Sequence, residues 1–118
     1  ELKDEQDIRD AARVAVRTLE SVIEYQDYPV LAGENFTKNR RSLGIGITNL
    51  AGLLAKHKLK YGSPEALQLI HETMESIQYH LLLASCELAA ELGACEKFNE
   101  TKYSKGLLPI DWYKKEVD

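Results

Sequence analysis

The chain is short of the residues by which most sequences announce a function. It holds two cysteines, Cys86 and Cys95, in 118 residues. Their spacing makes neither a Cys-x-x-Cys redox pair nor a zinc site. Two thiols are too few for the disulfide framework of a small secreted domain, so both are expected reduced in a cytoplasmic protein. No apolar run approaches the ~20 residues that cross a bilayer. The acidic, polar stretch 1–7 is neither a signal nor a transit peptide. The chain opens on Glu1 rather than methionine, which suggests excision from a longer polypeptide, although processing or tag removal would give the same start. The net charge of −4 argues against nucleic acid as the main partner, because neutralising phosphates supplies most non-specific affinity.

Catalytic and phosphate motifs are missing too. Gly44-x-Gly46 precedes a helical pattern, yet the residue three after Gly46 is Asn49. Neither the Gly-x-Gly-x-x-Gly nor the Gly-x-x-x-x-Gly-Lys-Ser/Thr motif is therefore made. None of Ser42, Ser63, Ser76, Ser85 and Ser104 sits in a nucleophile elbow. His71 and Glu75 lie four apart, but the Glu-x-x-His pairs of helical di-iron sites are absent: Glu75 and His80 are five apart. Lys56, His57, Lys58 and Lys60, with Arg40 and Arg41, could form a basic patch, although cations are favoured at a helix C-terminus for dipole reasons alone. Cys86 is expected among apolar neighbours, where a thiol is inert, and His80 as a hydrogen-bonded, partly buried histidine.

What the sequence does have is helical periodicity. Leu67, Ile70, Met74, Ile77, Leu81, Ala84 and Leu88 fall in steps of three and four and predict a helix over 64–93. Ser63 is its expected cap, Pro64 its first residue and Gly93 its exit. Leu69, Leu82, Leu83 and Cys86 broaden the apolar surface, so this helix needs neighbours on more than one side. An earlier helix is predicted over 4–26, with Ile8, Ala11, Ala12, Ala15, Leu19, Val22 and Ile23 inward. Of its charge pairs at four-residue spacing, Glu5–Arg9 attracts while Arg13–Arg17 and Glu20–Glu24 repel. Pro29 ends it, and an exposed loop is expected through Gly33, Glu34 and Asn35 to Asn39.

Leu43-Gly44-Ile45-Gly46-Ile47 alternates bulky residues with glycine, which predicts a short strand, 43–47, with its glycine side against another backbone. The period then changes at Ile47, Leu50, Ala51 and Leu54 to that of a helix over 47–57. A lone strand is unstable, and the chain offers it no convincing mate. The fold class is therefore mainly α, with one strand whose partners come from elsewhere. The segment 94–118 reads as irregular, anchored by Phe98 and Tyr103, with Asp111 capping a last helical turn through Trp112 and Tyr113.

Several runs resemble a known family: Tyr25-Gln-Asp-Tyr-Pro29, Arg40-Arg-Ser-Leu-Gly-Ile-Gly-Ile47 with Asn49-Leu-Ala, Glu75-Ser-Ile-Gln-Tyr79, Leu82-Leu-x-Ala-Ser85, Glu87-Leu-Ala89, Gly93-Ala-Cys95, Phe98-Asn-Glu-Thr101 and Lys105-Gly-Leu-Leu-Pro-Ile-Asp111. In this order they resemble the large (α) subunit of class I ribonucleoside-diphosphate reductase, over nearly the whole chain. The resemblance implies that 1–118 is part of a ten-stranded α/β barrel domain. It implies a parent enzyme that reduces ribonucleoside diphosphates by radical chemistry, using thioredoxin or glutaredoxin, ATP and deoxynucleotide effectors, and a separate metal-containing small subunit. The family's Asn-x-Cys-x-Glu motif, redox cysteines and effector sites map upstream, and its phosphate loop and radical-path tyrosines downstream. No catalytic, cofactor-binding or metal residue carries over, and Cys86 and Cys95 do not match the family's cysteines. The implied partners are the rest of the large subunit and, through it, the small subunit and thioredoxin or glutaredoxin, with no nucleic acid and no membrane. The competing expectation is a stand-alone or split-gene helical module that self-associates through its apolar helix face.

Overall fold

Asp4 begins the first helix, α1 (Glu5–Tyr25), by accepting a hydrogen bond from the Asp7 amide at 2.9 Å. Acidic Glu5 and Asp7 in the first turn complement the positive end of the helix dipole. The chain turns extended at Gln26, and the Tyr28 hydroxyl donates to the Ile23 carbonyl at 2.8 Å, folding the exit back onto the helix. These features belong to a computed structural model that describes residues 4–111. The expected helical turn through Trp112 and Tyr113 lies outside the described residues. The Asp111 carboxylate accepts from the Leu108 amide at 2.8 Å, reaching back over the start of a helical turn at 109–111.

The next element corrects the sequence reading. Where a loop was expected, α2 (Leu31–Arg40) is a ten-residue helix. It buries no residue and has no side-chain N-cap, which is why no apolar stripe marked it. Local contacts hold it instead: Gly33 and Glu34 donate to the Val30 carbonyl at 3.1 and 3.2 Å. Glu34 and Lys38, four apart, pair at 3.0 Å, and the Arg40 guanidinium lies 4.4 Å from the Phe36 ring centroid. Together they outweigh the ~1 kcal/mol that a glycine costs inside a helix.

No strand forms over 43–47: residues 41–49 are neither helix nor strand. A strand is defined by its ladder, and no backbone-to-backbone hydrogen bond among the described residues engages 42–48. The predicted alternation is present in the burial of 43–46 only, since Ile47 is 39% exposed. Leu43 and Ile45 pack against a small core of Val16, Ala84 and Leu88, joined by Leu81, while Gly44 and Gly46 are exposed. A Cβ added at either glycine would meet nothing within 4 Å, so the close approach expected on that side is not made among the described residues.

The third helix, α3 (Leu50–Lys56), starts three residues later than the predicted 47–57. Asn49 takes φ 63°, ψ 36°, and a right-handed helix cannot run through a left-handed residue. One turn on, a Cβ at Gly52 would overlap the Asn49 carboxamide, which would have to swing aside. The long helix α4 (Pro64–Leu92) follows, its first turn capped by the Ser63 hydroxyl, which accepts from the Ala66 amide at 3.2 Å. Gly93, at φ 91°, carries the chain out. Beyond it, 3-10 turns at Phe98–Glu100 and Tyr103–Lys105 form a strap. The Lys97 amide donates to the Asn39 carbonyl at 3.0 Å, and Arg40 pairs with Glu100, tying this strap to α2. Phe98 and Tyr103, the expected anchors, remain 39% and 48% exposed.

The layer that organises the chain is α1 against α4. Glu5 lies beside His80, Arg13 beside Glu87 and Arg17 beside Glu91. Numbers rise together along both helices, so the two run parallel. Only part of the predicted stripe on α4 is used: Ala84 and Leu88 are buried, whereas Leu67 and Met74 are 58% and 42% exposed.

Candidate functional site

Residues that looked like candidates for chemistry are scattered by the fold. Gly44 and Gly46 stand on an open face and do not cradle a helix N-terminus. His71 and Glu75 are exposed on α4. Glu75 instead lines a shallow depression with Glu5, Glu72, Ser76 and Tyr79, and among the described residues no group of three or more histidine, cysteine, aspartate or glutamate side chains is arranged to hold a metal ion. His80 is buried, as expected, but its hydrogen bonds are not made. Its Nε2 lies 3.4 Å from a Glu5 carboxylate oxygen without hydrogen-bond geometry, and neither ring nitrogen has a hydrogen-bond partner among the described residues. Its ring meets Tyr79 edge-on, centroids 5.1 Å apart.

The basic patch divides in the same way. Lys56, His57, Lys58 and Lys60 are exposed around the end of α3, whereas Arg40 and Arg41 are drawn into ion pairs elsewhere. Ser63 is a helix cap, and the Ser104 hydroxyl donates to the Thr101 carbonyl at 2.8 Å in the strap. Both cysteines are free thiols. Cys86, expected among apolar neighbours, is exposed: it lies on a side of α4 that α1 does not cover.

The structure does bring together a seat for segment 42–48. Its floor is Val16 of α1 with Ala84 and Leu88 of α4. One flank is a row of arginines on α1 facing glutamates on α4. Arg13 pairs with Glu87 at 2.9 Å, Arg9 reaches the same carboxylate at 3.8 Å, and both Arg17 terminal nitrogens donate to Glu91. The hydrogen bond from Arg17 holds the Glu91 carboxyl below its ordinary value, and the Arg17 guanidinium is raised in turn. At the entrance to the segment stands Arg41. Its guanidinium donates to both Glu20 and Glu24, the latter at 2.6 Å. The hydrogen bond from Arg41, aided by the charge of Lys38, holds Glu24 below the usual carboxylate range.

Sequence reasoning missed this seat, although a signal was present. Arg13–Arg17 and Glu20–Glu24 read as repulsive pairs along one helix. Each is one half of a contact with another element, since Glu87 and Glu91 are also four apart. A like-charge pair at that spacing asks for a counter-charge from outside its own helix.

With this geometry in place, the likeness to known proteins is informative. The family model for the ribonucleotide reductase barrel domain matches residues 1–118. A ribonucleoside-diphosphate reductase subunit alpha from Haemophilus influenzae is 56% identical over 104 residues, covering 88% of this chain and 14% of that protein. The alpha subunit from Buchnera aphidicola of Schizaphis graminum is 48% identical over 117 residues, 99% of this chain and 15% of that protein. Subunit alpha of reductase 1 from Escherichia coli is 55% identical over 96 residues, 81% of this chain and 13% of its own length. The chain thus spans about 15% of the curated relatives that it matches. No helix among the described residues is long and apolar enough to cross a membrane.

Proposed function

The chain belongs to the ribonucleotide reductase barrel-domain family, and from that membership we propose that it is an architectural, non-catalytic segment of a ribonucleoside-diphosphate reductase large subunit. In this reading 43–47 is one stave of a ten-stranded α/β barrel. Its two backbone edges pair with strands from the rest of the subunit, and the helices lie on the barrel's outside. The observation that carries the reading is the seated segment itself. Leu43 and Ile45 are packed on α1 and α4, Gly44 and Gly46 lie open, and among the described residues the backbone of 42–48 makes no backbone–backbone hydrogen bond. Unpaired backbone along an extended segment is a template for strand addition.

The parent enzyme reduces ribonucleoside diphosphates to deoxyribonucleoside diphosphates in the cytoplasm. ATP and deoxynucleotides act as its effectors, a metal-containing small subunit supplies the radical, and thioredoxin or glutaredoxin the electrons. This chain contributes none of the catalytic, cofactor or metal residues. The test is reconstitution. The chain alone yields no deoxynucleotide from a ribonucleoside diphosphate, and adding polypeptides for the remainder of the large subunit, with small subunit and reductant, restores turnover. Turnover by the chain alone, or full turnover by the remainder without it, refutes the proposal.

A second reading is favoured by the exposure of Leu67 and Met74, seven residues apart on one face of α4. There the chain is a self-associating module, and sedimentation over a concentration series shows a stable oligomer that unfolds cooperatively.

A further inference from the structure

We propose that Arg41 is a positioning residue: its clamp on Glu20 and Glu24 locks the register in which 43–47 lies on the α1–α4 layer. The purpose of such a lock rests on the segment reading above, but its existence is a property of this chain's own side chains.

Three observations converge on it. First, Arg41 closes α2 at φ 49°, ψ 43°, a left-handed conformation where glycine is the ordinary residue. A non-glycine residue persists there only when surrounding contacts over-determine it. The backbone contact is the Arg41 amide donating to the Thr37 carbonyl at 2.8 Å, which any residue could make. What arginine adds is its side chain.

Second, that side chain forks across two carboxylates one helical turn apart. The guanidinium and Glu20 are both largely withdrawn from water, with side-chain exposures of 27% and 17%. A planar fork fixes direction as well as distance, which the point charge of a lysine does not. Arg41 is therefore held in translation and rotation against α1, the helix that also supplies Val16 to the core.

Third, the alternation that needs a register begins two residues later. Leu43 and Ile45 sit on Val16, Ala84 and Leu88, with Gly44 and Gly46 outward. A slip of one residue would turn both large side chains out and seat the glycines. In a sheet, ladder bonds oppose such a slip, but 42–48 has none among the described residues. Arg41 is the fixed point at its entrance, and Asn49, also left-handed at φ 63°, stands at its exit.

The experiment reads register directly. Single cysteines are introduced as Leu43→Cys, Gly44→Cys, Ile45→Cys or Gly46→Cys in the full 118-residue chain carrying Cys86→Ser and Cys95→Ser, and thiol labelling rates are measured. Positions 44 and 46 react fast, and 43 and 45 several-fold slower. Adding Arg41→Lys, or separately Glu20→Gln with Glu24→Gln, abolishes the odd–even contrast while helix content by circular dichroism is retained. Contrast that survives both changes overturns the lock. Absence of contrast in the parent chain overturns the seated register and the lock with it. Should the contrast depend on Arg41 while the chain fails to associate with the rest of the large subunit, the lock stands and the segment reading falls.

Discussion

Truncating Leu67 to alanine separates a surface that water covers from one that another part of a protein covers. Leu67 is 58% exposed on α4, so within this chain its removal deletes few contacts. Exposed substitutions of this kind shift stability by about 0.5 kcal/mol or less, and the urea midpoint of Leu67→Ala is expected to match that of the parent chain. If the face is docked against the remainder of a large subunit, the exposed share of the side chain is buried on association. Full burial of a leucine is worth about 1.5–3 kcal/mol. Scaling by the 58% that remains open gives about 1–2 kcal/mol, or roughly five- to thirtyfold in Kd. The assay is titration of the labelled chain with the complementary polypeptide, wild type beside Leu67→Ala. Leu88→Ala is the contrast: Leu88 is 9% exposed in the core but borders an open groove into which neighbours can relax. It is expected near the low end of the leucine-to-alanine range, about 2–3 kcal/mol of chain stability. An unchanged Kd for Leu67→Ala, with a large loss of chain stability, would refute the idea that this face is closed by another part of the protein.

Other perturbations test separate links. Ser63→Ala removes the cap on the Ala66 amide and should cost about 1 kcal/mol of stability, read by thermal unfolding. Gly46→Val should label and unfold like the parent chain when alone, because a Cβ there meets nothing within 4 Å, yet it should impair assembly into a complete enzyme. Normal stability and turnover of that complete variant would count against close packing on the glycine side. Glu24 and Glu91 are held below the glutamate value of 4.5 by Arg41 and Arg17. A carboxyl depressed in the folded state adds stability above its unfolded pKa, and that stability is lost as pH falls through the folded one. Denaturation midpoints should therefore fall on acidification below about 4.5, and Arg41→Gln with Arg17→Gln should flatten that part of the profile.

How far the sequence foretold the structure depends on which physics set each element. The two helices of the central layer were legible from apolar steps of three and four, joined in α4 by Ser63 at its start and Gly93 past its end; the Asp4 cap of α1 appears only in the structure. α2 was invisible because it buries nothing; its glycine and asparagines spoke for a loop, and a salt bridge and an arginine–aromatic contact overrode them. The start of α3 was misplaced because the apolar period continues through Ile47, while the backbone breaks at Asn49. For 43–47 the strand was wrongly expected: the alternation holds from Leu43 to Gly46 but fails at Ile47, and no ladder forms among the described residues. The Arg41 clamp joins residues 21 and 17 apart, a separation that local pattern does not reach, although the like-charged pair Glu20 and Glu24 pointed to it.

The parallel course of α1 and α4 has a consequence for birth on the ribosome. Arg17 and Glu91 are 74 residues apart in sequence, so α1 emerges long before the helix that shelters it. At ~5–20 residues per second, the nascent segment waits roughly 4–15 s with Val16 bare to chaperones and proteases. Through that interval Arg9, Arg13 and Arg17 await the glutamates that pair with them in the folded chain.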